Sequence, residues 1–406
     1  MKFEEGDDVR KILFISSLLF IHILVGCSSE TATTQADSKD YYKMDEDIQD
    51  IGELLNDGDI VILGESTHWS ADIAEEKIKL IDYLSEEHGF NKLFLETSDS
   101  EFNYYKDIEA DPFAGIAEQY QQEVFREYLD GSNKNIEVLP MDWTPHFEQN
   151  NASYVSELED NITQEISEHD SLLADEFKKS EYALRDWFAK GLLLSQNVGT
   201  LERPTDVYED IKQEEFFNKL SEPSQKYIES RHDNIKKYYS KINFDNALID
   251  YYDYREIGMS DKILSQMEEG DKAIVWVANG HSNYDVTKID HTHEVFQEQR
   301  RNERQESLGA LLRDSEYDIY NVGLFYNEAD KYDLLQDDYS TPRKTGDDTL
   351  EGYIGDRVSS DIFIDFSSSD FLEEKIYTSY TIGEYDYEMV PQEQFDGMIY
   401  LDHLSK

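Results

Sequence analysis

"DIVILGESTHWS", residues 59 to 70, is the stretch on which the reading of this chain turns. An apolar run, expected to be a strand over 59–65, passes directly into glutamate, a hydroxyl pair, histidine and tryptophan. A strand that only filled a core has no need of Glu65 and His68 at its exit. A helix follows from about Ser70 to His88, with Ile73, Ile78, Ile81 and Leu84 at helical spacing and Gly89 as its stop.

The alternation of strand and helix continues outward from this point. "NKLFLET" (91–97) and "IEVLPMDW" (136–143) read as the next strands, with Pro140 marking the third as a possible edge. About 120 residues rich in Glu, Lys, Leu and Tyr follow with little strand signal, and a helical insertion over about 147–270 is the natural reading. "AIVWVANGH" (273–281), "YDIYNVGLFY" (317–326) and "GMIYL" (397–401) restore the sheet, while 327–395 is mixed. The expected fold class is α/β, a mainly parallel β-sheet flanked by helices with a large helical insertion between strands three and four.

Composition narrows the functional classes. The chain has 406 residues with 39% apolar and 13% aromatic content, enough for a substantial core. It carries 90 acidic against 37 basic residues, a formal net charge of −53, spread along its length. Such a surface repels itself and folds best when salt screens it, as in a halophilic host. Nucleic acid is excluded as a partner, because phosphate binding needs a basic face.

The N-terminus reads as an address. "VRKILFISSLLFIHILVGC" has a basic start, an apolar run from Ile12 to Val25 that is short for a membrane span, and a small residue before Cys27. Residues 1–26 are expected to be a secretory signal peptide and Cys27 a lipidated first residue. The acidic "MKFEEGDD" does not suit a signal peptide, which points to Val9 as the initiator. Residues 27–44 read as a flexible tether and 45–406 as the domain, so the expected location is extracytoplasmic, on the cell membrane through the lipid. As the only cysteine, Cys27 leaves the mature domain without disulfides, zinc–thiolate sites or a cysteine nucleophile.

The strand exits hold the candidate chemistry, since ligands of open α/β sheets bind beyond the carboxyl ends of the strands. Glu65 and His68 lie at the first exit, Glu96 at the second, Asp142 with His146 just beyond at the third, and Asn279 and His281 at the fourth. Each carboxylate can also be read as a cap of the following helix, but capping does not ask for histidine. A neutral imidazole held by a carboxylate is the general-base pair that activates water. Glu96 or Asp142 can orient the pair or donate a proton, and His281 or Asn279 can stabilise an oxyanion. A metal held by His68, His281 and two carboxylates is the competing reading, although no close-spaced ligand motif supports it. A G-x-S-x-G elbow, a Walker loop and a G-x-G-x-x-G fingerprint are all absent from the sequence.

At these residues the chain resembles the erythromycin esterase-like hydrolases. The resemblance rests on "GESTH" (64–68), "LSEEHGFNKLFLET" (84–97), "MDW" (141–143), "REIGM" (255–259), "VWVANGH" (275–281), "SLGALLR" (307–313) with "YNVGLFY" (320–326), and "FDGMIYL" (395–401), in the family's order. It implies a metal-independent, cofactor-free hydrolase acting on a small ester or lactone. Glu65 and His68 would activate water, with Glu96 and His281 in the same site. It further implies substrate contacts from Arg255 of "REIGM" and from Lys77, where the family often has arginine. The fourth strand departs from the pattern: the family commonly shows His-Asn-x-His, and here Ala278 precedes Asn279 and His281. A hydrolase is therefore implied without a macrolide being implied as its substrate. The alternatives are a metal-dependent hydrolase on the same scaffold and a non-catalytic lipoprotein that binds a small ligand.

Overall fold

The computed structural model describes residues 40–406 except 69, 113–122, 132–134, 146–151, 194–205, 244–246, 293–296, 298–300, 331–342, 347, 382–384 and 406. Among these the strands are β1 (Tyr42–Lys43), β2 (Ile60–Leu63), β3 (Lys92–Ser98), β4 (Glu137–Asp142), β5 (Ala273–Trp276), β6 (Asp290–His291), β7 (Ile319–Ala329), β8 (Arg343–Lys344), β9 (Ile362–Asp365), β10 (Tyr377–Thr381), β11 (Tyr385–Met389) and β12 (Gly397–Leu404). The main sheet runs β1-β9-β12-β7-β2-β5-β3-β4, with β8 on β7. The five pairings from β12 across to β4 are parallel, while β9 joins β12 antiparallel, so the sheet is mainly parallel. Pro140 does sit in an edge strand, β4, where a missing N–H costs no ladder bond on the open side.

β2 is buried on both faces, and its alternation sorts the core. Val61 and Leu63 pack with Ile274 and Trp276 of β5, under α1 (Ile48–Leu55) and α2 (Ala71–His88). Ile60 and Ile62 face the other way, onto Phe94, Met141, Val275, Met259 and Leu308. Each such side chain contributes about 1.5–3 kcal/mol through burial. Gly64 follows β2 because a Cβ there would collide with Asn279 Oδ1. Helix α2 starts at Ser70, whose side chain accepts from the Ile73 N–H, and ends at Gly89 with φ of 75°.

The next helices are α3 (Asp99–Asp107) and α4 (Glu123–Gly131). Between β4 and β5 the described residues hold α5 (Ala152–Ser167), α6 (Ser171–Leu193), α7 (Asp206–Gln213), α8 (Glu222–Lys237) and α9 (Ala247–Ser265). These share a core of their own, including Leu158, Phe177, Tyr208 and Ile228, which reaches the sheet at Trp143. Helix α9 lies against β4 through Met259 and presents Arg255 and Glu256 toward the strand exits. Among the described residues no helix is long and apolar enough to cross a membrane.

The structure changes three details. The folded domain begins before residue 45, since Tyr42–Lys43 pairs with β9, Tyr42 packs on Phe363 and Met44 is buried. The fourth strand ends at Trp276, and Asn279–Ser282 is a short helix, α10. The mixed region supplies β9 to the main sheet and a hairpin, β10–β11, that pairs with β6 in a second antiparallel sheet.

Candidate active site

The four strands whose exits carry candidate groups are consecutive neighbours, β2-β5-β3-β4. The sheet thus delivers Glu65, His281, Glu96 and Asp142 side by side at one edge, which chain order alone does not show. Capping does not account for them. Ser70 caps α2, and Glu65 and His68 are held to each other instead.

Glu65 is buried and fully engaged. Its Oε1 lies 2.7 Å from His68 Nδ1, and its Oε2 accepts from Lys77 Nζ and from Trp276 Nε1, both at 2.7 Å. Burial alone raises a carboxyl, but Lys77 and His68 outweigh it and hold Glu65 below its usual value. An ionised carboxylate only accepts, so His68 carries its proton on Nδ1 and Nε2 is the basic nitrogen. The His68 side chain is 20% exposed, the group of this pair that opens to solvent. Lys77 is wholly buried, with Nζ 4.6 Å from the Trp276 ring centre, and burial pulls it down to about 8 against the pull of Glu65. Lys77 therefore stands behind Glu65, buried, and orients it.

The second cluster centres on Arg255 and His281. The Nε and Nη2 of Arg255 donate to Asp142 Oδ2 at 2.8 and 2.7 Å, and Nη2 also donates to Glu96 Oε1 at 2.6 Å. Asp142 Oδ1 accepts from the Thr144 N–H. His281 Nδ1 lies 2.7 Å from Glu256 Oε1, while Nε2 lies 3.4 Å from both Glu96 Oε1 and Arg255 Nη1. Burial opposes charge on His281, but Glu256 and then Glu96 reverse this and raise it above the ordinary histidine value. Glu96, opposed by its own burial, is held well below the carboxylate range by His281 and Arg255, with a smaller pull from His68. That pull and the field of Glu96 at Lys77 tie the two clusters into one site.

Of the residues singled out from sequence, Glu65, His68 and Lys77 form one cluster, and Glu96, Asp142, Arg255 and His281 the other. Asn279 is not directed at substrate. Its amide donates to the Leu324 carbonyl and its carbonyl accepts the Leu324 N–H, tying α10 to β7 past the end of β2. His146 and Cys27 lie outside the described residues. Trp276 and Glu256 were not anticipated. A tryptophan inside a buried aliphatic run needs a partner for its N–H, a signal that was present, whereas a helical glutamate normally reads as solvated. Among the described residues no group of three or more His, Cys, Asp and Glu side chains is arranged to hold a metal ion.

A mainly parallel α/β sheet carries two carboxylate-bound histidines at its carboxyl edge. The model of the erythromycin esterase family matches residues 144–404, more than half of the chain, and the chain belongs to that family. The match includes Arg255 and His281, while Glu65, His68 and Glu96 precede it. Similar solved structures include a Bacillus cereus protein (17% identity, TM-score 0.61, covering 90% of this chain and 93% of that one). A succinoglycan biosynthesis protein follows at 15% identity and TM-score 0.60, with 92% and 95% covered. A mutant of the erythromycin esterase EreC in its open conformation gives 15% identity and TM-score 0.54, with 88% and 93% covered. At these identities the likeness is one of fold. No curated protein sequence matches the chain. Family and fold together support a hydrolase.

Proposed function

We propose that this chain hydrolyses a carboxylic ester or lactone by water that His68 activates. The observation that carries the reading is the 2.7 Å contact of His68 Nδ1 with a Glu65 carboxylate that Lys77 and Trp276 hold in place. Fixed in that tautomer, His68 Nε2 takes a proton from water as the oxygen bonds to the carbonyl carbon. The charge that develops on the carbonyl oxygen is met by the Arg255 guanidinium and by protonated His281. When the tetrahedral intermediate collapses, the C–O bond breaks and the departing alkoxide takes a proton from His281. Deprotonation of His68 and reprotonation of His281 through solvent close the cycle, with one water consumed. Asp142 and Glu96 hold Arg255 in position, and the helices between β4 and β5 wall the cleft and select the substrate.

The same proposal places the mature chain outside the cytoplasm, anchored by lipid on Cys27 after removal of residues 1–26. The hydropathy of Ile12–Val25 and the single cysteine support it. Membrane fractionation of the native and Cys27→Ala proteins tests it, with release of the variant as the expected result. Hydrolysis of an ester and lactone panel in high salt, with and without chelator, tests the activity. Turnover that survives chelation is expected; turnover abolished by chelator and restored by added metal would overturn the water-activation scheme.

A further inference from the structure

Glu256 is fully buried, and neither oxygen of its carboxylate is left to solvent. Oε1 faces both His281 Nδ1, at 2.7 Å, and the Arg304 guanidinium, while Oε2 accepts from the Leu308 N–H at 3.2 Å. Arg304, itself buried, precedes the helix Leu308–Arg313. One oxygen is therefore shared by two cationic donors from different parts of the chain.

We propose that Glu256 is a positioning residue that fixes His281 with its proton-bearing Nε2 toward the reacting atoms, and that Arg304 sets how tightly it does so. This deepens the reading of His281 as oxyanion partner and proton donor, and rests on it. The charges facing His281 are those of Glu96 from β3, Arg255 and Glu256 from α9, and Arg304, with Asp142 of β4 acting through Arg255. Glu256 and Glu96 both face the ring, and the charged form of His281 answers them. Without its proton the two carboxylates beside the ring would lose a cation in a low-dielectric setting, which burial opposes. An oxygen shared with Arg304 is a weaker acceptor toward His281 than one held by His281 alone. Arg304 thereby limits how far Glu256, acting at Nδ1, stabilises the charged ring, so that Nε2 can release its proton.

Substitutions at the two positions should then move His281 in opposite directions. The test is a titration of histidine-labelled full-length protein by long-range ¹H–¹⁵N NMR, with the His281 signal assigned by its loss in His281→Gln. The readout needs no substrate, so it remains informative if the activity itself is of another kind. In Glu256→Gln the His281 midpoint should fall by about one pH unit or more. It should rise in Arg304→Gln and stay near the native value in Arg304→Lys. Glu256→Asp, which keeps the charge at a longer reach, should lie between native and Glu256→Gln, and serves if Glu256→Gln does not fold. An unmoved midpoint in the Glu256 variants, or shifts of the same sign at Glu256 and Arg304, would overturn the proposal.

Discussion

His68 and His281 occupy the same edge of one sheet and are held by the same kind of bond, a carboxylate 2.7 Å from Nδ1, yet their surroundings differ. His68 has one engaged carboxylate and a side chain partly open to solvent. His281 is enclosed, with a carboxylate on each side of its ring and two arginines behind them. The second setting biases its ring toward the charged form, since Glu256 and Glu96 outweigh its burial. Two histidines at one edge thus acquire complementary duties from their neighbours.

Removing the support of the first histidine should have the largest effect. Glu65→Gln is expected to reduce kcat by about 10²–10⁴, because the tautomer of His68 is no longer enforced and Lys77 loses its counter-charge. Steady-state kinetics beside a chemical melt separate the loss of turnover from a loss of fold. Arg255→Met, which removes the cation shared by Asp142 and Glu96, is expected to destabilise by about 3–5 kcal/mol, since Asp142 would remain buried without its charge partner. Urea unfolding checks this, and an unchanged midpoint would break the picture of a charge-locked second cluster. His281→Gln should cost about 10²–10³ in kcat with a smaller change in KM. If KM alone moved, His281 would bind substrate without serving the transition state.

The pH dependence of stability sharpens the contrast. Glu65 and Glu96 sit below their ordinary values, so their contribution is complete above the usual carboxylate range and is lost as pH falls through the lowered folded values. His281 is raised, so its contribution is complete below the ordinary histidine value and lost as pH rises through the raised one. Thermal melts from strongly acidic to alkaline pH should show both limbs, and His281→Gln should flatten only the alkaline one. The smallest effect belongs to Ser70→Ala, which removes the cap of α2. It should cost about 1 kcal/mol of stability and leave kcat near native, separating helix capping from the chemistry proposed for His68, two residues away.

Much of this arrangement was legible in the chain. The apolar runs from Ile60, Lys92, Ala273 and Ile319 are unambiguous as strands, and polar residues at their exits mark an edge where a ligand binds. What periodicity cannot supply is the spatial order of the strands, and here β5 returns between β2 and β3 after the long helical excursion. That insertion puts His281 between Glu65 and Glu96. Lys77, read as a substrate contact, is buried on α2 with its ammonium on Glu65. Asn279 is engaged by β7 because α10 passes close to Gly64 at the end of β2. Glu256 went unnoticed because its meaning comes from Arg304 and Leu308, some fifty residues away.

The most direct test of the account is hydrolysis of an ester and lactone panel by the native protein and by His68→Ala, run side by side in high salt after both are shown to fold. The account predicts that the native protein turns over at least one member of the panel and that His68→Ala lowers kcat by about 10²–10⁴ on it. Native-level turnover by His68→Ala, or no turnover by the native protein, would contradict the claim that His68 activates water.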